Sequence, residues 1–256
     1  MGKIIAVVNQ KGGVGKTTTA VNLTAALTEA GKKVLLCDFD PQANATSGFG
    51  IEKRKIKHSV YDIVVNETPA ADVIIKTKYG DVLPSHPDLA GAAVELISMP
   101  EPNYRLRKAL NEIRSNYDLV FIDCPPSLEM LTLNGLAAAD GILVPVQCEY
   151  YALEGLADLM MTLRLAKKRM NPDLEIFGVL LTMFDGRTNF STQVAEEVRK
   201  HFPGKVYATV IPRNVRLAEA PSHGLPVTAY DRSSRGADAY RAVAAEIIKK
   251  INHQKG

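Results

Sequence analysis

Apolar residues in this chain fall in short unbroken blocks, at 3–8, 33–37, 81–84, 118–123, 141–146, 175–182 and 206–211. Blocks of that length without a regular polar alternation suit parallel strands covered on both faces. Between them the apolar positions recur at helical spacing, near 17–30, 60–65, 88–97, 103–115, 129–138, 152–170, 191–201 and 236–252. Gly31 stands where the first helix would end in a left-handed residue, and Gly178 interrupts a strand block. The alternation predicts an α/β fold: a doubly wound, mostly parallel sheet flanked by helices, with ligand at the C-terminal strand ends. With 256 residues, no internal repeat and no low-complexity linker, the reading is a single domain over 1–256.

The first block runs directly into Asn9-Gln10-Lys11-Gly12-Gly13-Val14-Gly15-Lys16-Thr17-Thr18-Thr19, and the first helical stretch follows at once. A strand feeding a glycine-rich turn and a helix N-terminus aims backbone N–H groups and the positive end of the helix dipole at one point, which suits a polyphosphate. In such a loop Gly12, Gly13, Val14, Gly15 and Thr18 present backbone, Lys16 meets the β and γ phosphates, and the Thr17 hydroxyl meets Mg²⁺. The loop departs from the common GxxxxGK[ST] spelling, because Gln10 replaces the first glycine and a second lysine, Lys11, precedes the glycine pair.

Two further blocks end in acid. The block 33–37 leads into Asp38-Phe39-Asp40-Pro41-Gln42, and 118–123 ends at Asp123 before Cys124-Pro125-Pro126-Ser127. Both place carboxylates at the sheet edge that holds the phosphate loop, where triphosphate would repel them unless a cation intervened. Mg²⁺, which takes a few oxygen ligands and completes its shell with water and phosphate, is that cation. Asp123 fits a ligand acting through water, and Asp38 supports the metal shell.

Composition narrows the class. Cys37, Cys124 and Cys148 lie in or beside apolar blocks with no CxxC pair, and no secretory leader is expected at Met1-Gly2-Lys3, so a reduced, cytoplasmic protein is expected. No apolar run approaches the roughly 20 residues of a membrane span. Residues 1–159 carry 15 Lys/Arg against 19 Asp/Glu, whereas residues 160–256 carry 16 against 9, which predicts a basic C-terminal surface suited to a polyanion.

The loop spelling KGGxGK[ST] resembles the deviant Walker A box of the partitioning and cell-division ATPases. Asp38 to Gly48, Ile122 to Ser127, Pro145-Val146-Gln147-Cys148-Glu149-Tyr150-Tyr151-Ala152-Leu153-Glu154-Gly155 and Ile211 to Ser222 look like the ParA/Soj type of chromosome-partitioning ATPase, over essentially the whole chain. The resemblance implies ATP as substrate, with Lys11 reaching across a homodimer to the partner's nucleotide when ATP is bound. It implies Asp40 as the residue that orients the attacking water, making Lys11, Lys16 and Asp40 the catalytic group. Adenine is expected between the end of block 175–182 (Thr182, Met183) and the loop Pro212-Arg213-Asn214; the guanine-reading NKxD box is absent. The resemblance further implies non-specific binding of double-stranded DNA through Arg187 and Arg216, nucleoid association, and a ParB/Spo0J-type centromere-binding partner that stimulates slow hydrolysis.

A MinD-like cell-division ATPase would bind membrane through a terminal amphipathic helix. Residues 242–256 show only a modest apolar stripe and no aromatic residue, so that segment reads as packed on the sheet and no membrane partner is expected. A nitrogenase-type iron protein would need a second cluster cysteine near 86–105, and a tail-anchor-targeting ATPase a CxxC zinc site; neither is present. An ATP-dependent small-molecule ligase on the same fold stays as an alternative, marked by turnover that depends on its substrate rather than on DNA.

Overall fold

In a computed structural model, which describes residues 2–127, 129–149 and 152–253, the chain forms a sheet of seven strands among those residues. The strands are β1 (Lys3–Val7), β2 (Val34–Asp38), β3 (Ile75–Thr77), β4 (Gly80–Leu83), β5 (Leu119–Asp123), β6 (Gly141–Gln147) and β7 (Glu175–Thr182). Their order is β3-β4-β2-β5-β1-β6-β7, parallel throughout except for the antiparallel β3–β4 pair. The unbroken apolar blocks have the expected cause. Ile4, Ala6 and Val8 enter one core while Ile5 and Val7 enter the other, so both faces of β1 are covered.

One face carries the helix Lys16–Glu29 and the C-terminal helix Arg235–His253, which bury Leu23, Leu27, Tyr240, Val243 and Ile247 against the strands. The other carries Val60–Val64, Leu89–Glu95, Arg105–Ile113, Met130–Ala138, Ala152–Arg169 and Asn189–His201. Gly31 ends the first helix as expected, with φ 81° and its N–H donated to Thr28 O at 2.9 Å. The terminal helix has its apolar side on the sheet, in agreement with the sequence reading, and no helix among the described residues is long and apolar enough to cross a membrane.

Two strand expectations change. The block 206–211 is not a strand: it follows β7 through Val179 N–H to Lys205 O and Ile211 N–H to Leu181 O but pairs only at isolated bridges, Val179 with Val206 and Phe184 with Pro212. Tyr207 packs against Gly178, where an added Cβ would stand 2.4 Å from the ring. The short β3 was not anticipated, because its three residues are partly or fully exposed and carry no apolar block.

Candidate functional site

Val7, Asp123 and Asp38 stand side by side in the sheet register at the C-terminal ends of β1, β5 and β2. The chain turns after β1 at this edge, where the strands on one side (β5, β2) and on the other (β6, β7) diverge. Such a crevice is where open α/β sheets bind ligands. Asn9 secures the turn, its Nδ2 donating to Pro145 O of β6 at 2.8 Å and its Oδ1 accepting the Lys11 N–H at 3.0 Å. Gly13 (φ 74°) and Gly15 (φ 90°) take left-handed conformations that other residues adopt at a cost, and Gly15 caps the helix Lys16–Glu29. From β7, Thr182 Oγ1 donates to Val14 O at 2.8 Å and pins the loop from its other side. The phosphate cradle expected from sequence is thus built by contacts with β6 and β7.

Lys16 is 7% exposed, and its Nζ donates to Lys11 O at 3.1 Å, within the cradle. Burial lowers its pKa, while Asp123, Cys124 and Asp40 pull it back up. Asp123 is wholly buried, and neither carboxylate oxygen has a hydrogen bond of acceptable geometry among the described residues; the Thr17 hydroxyl beside it favours the charged form only modestly. Its pKa is pushed well up, first by burial and then by Asp38 alongside. A buried carboxylate with both oxygens orphaned, next to a second carboxylate, is unfavourable unless a cation sits there. The donor set fits Mg²⁺ of the kind that leaves positions for phosphate and water.

Asp38 is engaged by donors of the chain itself. Its Oδ2 accepts both the Thr46 N–H (2.7 Å) and the Thr46 hydroxyl (2.6 Å), and its Oδ1 accepts the Asp40 N–H at 3.3 Å. Those bonds tie the 40–46 turn to the end of β2 and engage the carboxylate within the chain. Burial raises its pKa to about 6 against the lowering effect of Thr46. Asp40, 8% exposed, is the better-placed acid: Oδ1 accepts the Gln42 N–H at 2.9 Å, and its own carbonyl accepts from Ser85 Oγ at 2.7 Å. Both contacts hold the carboxylate at the edge of the cradle.

A cavity of about 260 Å³ opens beside the loop. Met183, Pro212, Arg213 and Asn214, the residues expected around adenine, all line it, together with Gly15, Thr18 and Thr182. Met183 has φ 51°, a strained conformation for a residue with a side chain, and Phe184 fastens the opposite wall by donating to Ile211 O and accepting from Arg213 N–H. Sequence reasoning missed Leu217, Ala218 and Tyr240, which complete the cavity. Tyr240 comes from the C-terminal helix, and only the fold brings it there.

Lys11 is half-exposed, its Nζ 3.7 Å from Glu149 Oε2, and Arg213 Nη2 approaches the same carboxylate at 3.6 Å. Glu149 stood in a quoted motif but was given no role; Tyr150 and Tyr151 of that motif lie outside the described residues. Arg187 and Arg216 are far out on the surface but are not bare. Arg187 is forked onto Asp185, and Arg216 contacts Glu219 and Asp231.

Comparison with known proteins agrees with this geometry. An AAA domain model matches residues 2–176. The sporulation initiation inhibitor protein Soj of Bacillus subtilis is 57% identical over 249 residues, covering 96% of this chain and 98% of the relative. The chromosome-partitioning ATPase Soj of Thermus thermophilus is 51% identical, with 96% of each chain covered. Among solved structures, cobyrinic acid a,c-diamide synthase of Mycobacterium smegmatis, with bound ADP and magnesium, superposes with a TM-score of 0.85 at 38% identity, over 97% of this chain and 95% of that one. With identities of this size along nearly the whole length, and with the phosphate cradle and its acidic edge in place, this chain belongs to the ParA/Soj family of chromosome-partitioning ATPases.

Proposed function

We propose that the chain binds ATP with Mg²⁺, that ATP closes two copies face to face, and that the closed dimer holds double-stranded DNA without regard to sequence. Slow hydrolysis, stimulated by a ParB/Spo0J-type centromere-binding partner, then releases it, and the work is done in the cytoplasm on the nucleoid. The observation that carries this reading is the division of labour between two lysines of one loop. Lys16 is buried inside the cradle beside Asp123, whereas the Lys11 side chain is 35% exposed and its ammonium is 3.7 Å from Glu149. A lysine exposed at the surface of its own loop is available to a neighbour's site.

In this reading Gly12, Gly13, Val14, Gly15, Lys16, Thr17 and Thr18 hold the phosphates, and the cavity between Met183 and Pro212-Arg213-Asn214 takes the base. Thr17 and Asp123, supported by Asp38, would hold Mg²⁺, which would neutralise charge on the β and γ phosphates. Asp40 orients the attacking water. Lys11 from the partner adds positive charge to the transition state in the manner of an arginine finger, worth about 10³–10⁵ in rate where such fingers act. Hydrolysis is therefore conditional on dimerisation.

The test is oligomeric state and duplex binding measured with ATP, with ADP and without nucleotide. We expect the dimer and DNA binding with ATP alone, both insensitive to DNA sequence, and loss of DNA binding but not of the dimer in Arg187→Glu/Arg216→Glu. DNA binding that ignored nucleotide, or that survived the double substitution, would overturn the scheme. The cobyrinic acid a,c-diamide synthase among the structural neighbours favours a second reading, an ATP-dependent ligase, under which turnover would require a small carboxylic acid and not DNA.

A further inference from the structure

Arg187 and Arg216 come from separate elements, the loop after β7 and the short helix Val215–Glu219, yet each guanidinium is already held by carboxylate from its own neighbourhood. Asp185 Oδ2 accepts from Arg187 Nη2 at 2.7 Å and its Oδ1 from Nε at 2.9 Å, a two-point fork, with the Arg187 N–H on Oδ1 as a third contact at 3.1 Å. The acid lies beneath its partner: the Asp185 side chain is 24% exposed and that of Arg187 88%. Glu219 Oε2 accepts from Arg216 Nη1 at 2.8 Å and is steadied by the Tyr230 hydroxyl at 3.3 Å, while Asp231 Oδ2 meets Nε at 3.1 Å. Each fork leaves outer N–H groups of the guanidinium directed to solvent.

We propose that Asp185 and Glu219 are masking residues: they aim the two arginines outward while cancelling much of their charge, so that the surface grips duplex DNA weakly and reversibly. The inference rests on the DNA-binding reading of that surface. A phosphate meeting a free arginine releases condensed counterions in proportion to the charge neutralised. A phosphate meeting an arginine already forked to a carboxylate meets little net charge, and releases fewer. Weak local grip is what a protein that must let go of DNA after each cycle requires. The fork also ties the arginine to its exposed position, so the carboxylate supplies orientation as well as masking.

The experiment measures duplex affinity against salt for the ATP-bound dimers of wild type, Asp185→Asn/Glu219→Gln, Asp185→Ala and Glu112→Gln. The last removes one exposed carboxylate from the helix Arg105–Ile113, and twice its effect on log affinity and slope is the net-charge control for the double variant. Asn and Gln keep an acceptor and hence the aim of the arginine, so the double variant should bind about two- to fivefold tighter at low salt. Its log–log salt slope should steepen by up to about 0.9 for each Arg187 unmasked, and by less for each Arg216, which Asp231 still partners at 3.1 Å. Asp185→Ala, which loses the aim as well, should gain less than half of the double variant's change in log affinity. If the double variant changed log affinity and slope by no more than twice the change in Glu112→Gln while wild type still bound DNA, masking would be wrong and the DNA reading would stand. A wild-type ATP dimer that did not bind DNA would remove both.

Discussion

Asp38 on β2 and Asp123 on β5 are register partners, two wholly buried carboxylates side by side on adjacent parallel strands. Asp38 is compensated by Thr46 and the Asp40 N–H, and Asp123 by no well-formed hydrogen bond among the described residues. An acid whose pKa is higher in the folded than in the unfolded chain destabilises the fold once it ionises. For Asp38, pushed up by burial to about 6 from the ordinary 3.8, that penalty is absent below 3.8 and complete above about 6. A shift of that size corresponds to about 3 kcal/mol. The site is therefore under electrostatic stress at neutral pH.

Asp123→Asn should accordingly stabilise the ligand-free protein at pH 7 in the presence of a chelator, with Tm rising about 2–4 °C per kcal/mol relieved. The gain should shrink as pH falls toward 4, where the acids of the wild type protonate. With Mg²⁺ and ATP the order should reverse, since the wild type alone gains a metal ligand. A lower Tm for ligand-free Asp123→Asn at pH 7 would contradict the assignment of Asp123 as a residue held for a cation.

Gly12 and Lys16 separate partner effects from nucleotide effects. A Cβ on Gly12 meets nothing within 4 Å in the chain, and its backbone is not left-handed, so Gly12→Val should fold with unchanged Tm and retain some nucleotide binding. Its ATP-dependent dimer should disappear in sedimentation, because the added side chain projects where a second copy would approach. Lys16→Ala should instead abolish nucleotide binding itself, by removing a charged contact to two phosphates in a partly dehydrated site. A normal ATP dimer of Gly12→Val would remove the face-to-face model.

Asp40→Ala should bind Mg²⁺ and ATP but lose hydrolysis, leaving a long-lived dimer on DNA. Among the described residues the carboxylate contacts Gln42 N–H and no cradle residue by hydrogen bond, so its loss should disturb water positioning more than phosphate binding. Single-turnover phosphate release reads the outcome. Release at the wild-type rate would reject Asp40 as the water-orienting group, and failure to bind ATP would reassign it to the metal shell.

Gly178→Ala tests packing rather than chemistry. The new Cβ would stand 2.4 Å from Tyr207 Cε2, and Tyr207 is 6% exposed, so it has little room to move. We expect destabilisation by about 1–3 kcal/mol in denaturant titration. Combining it with Tyr207→Leu should recover part of the loss, since leucine lacks the ring that collides. An additive double variant would place the strain elsewhere.

What the sequence determined by itself was whatever depends on near neighbours in the chain. Unbroken apolar blocks are enough to require parallel strands buried on both faces, and the strand, Lys11-to-Thr17 turn and helix are contiguous, so the phosphate cradle was legible. Asp38, Asp40 and Asp123 were legible too, because Asp38 and Asp123 each end a strand, Asp40 follows two residues after the first, and parallel strands end on one edge. Tertiary structure alone decided how those groups divide their work. Thr46 engages Asp38 and leaves Asp123 orphaned, a contact set by the register of β2 and β5 and by the turn at 40–46. Tyr240 enters the base cavity from a helix more than 200 positions beyond the loop, and Glu149 meets both Lys11 and Arg213 because β6 lies between β1 and β7. The segment 206–211 runs beside β7 but pairs with it only at an isolated bridge, and the exposed β3 carries too little apolar signal to register. Pairings of Arg187 with Asp185 and of Arg216 with Glu219 lie two and three residues apart, yet spacing on a surface does not say whether two charges join. That depends on the local backbone and on the competition with water, which only the folded chain resolves.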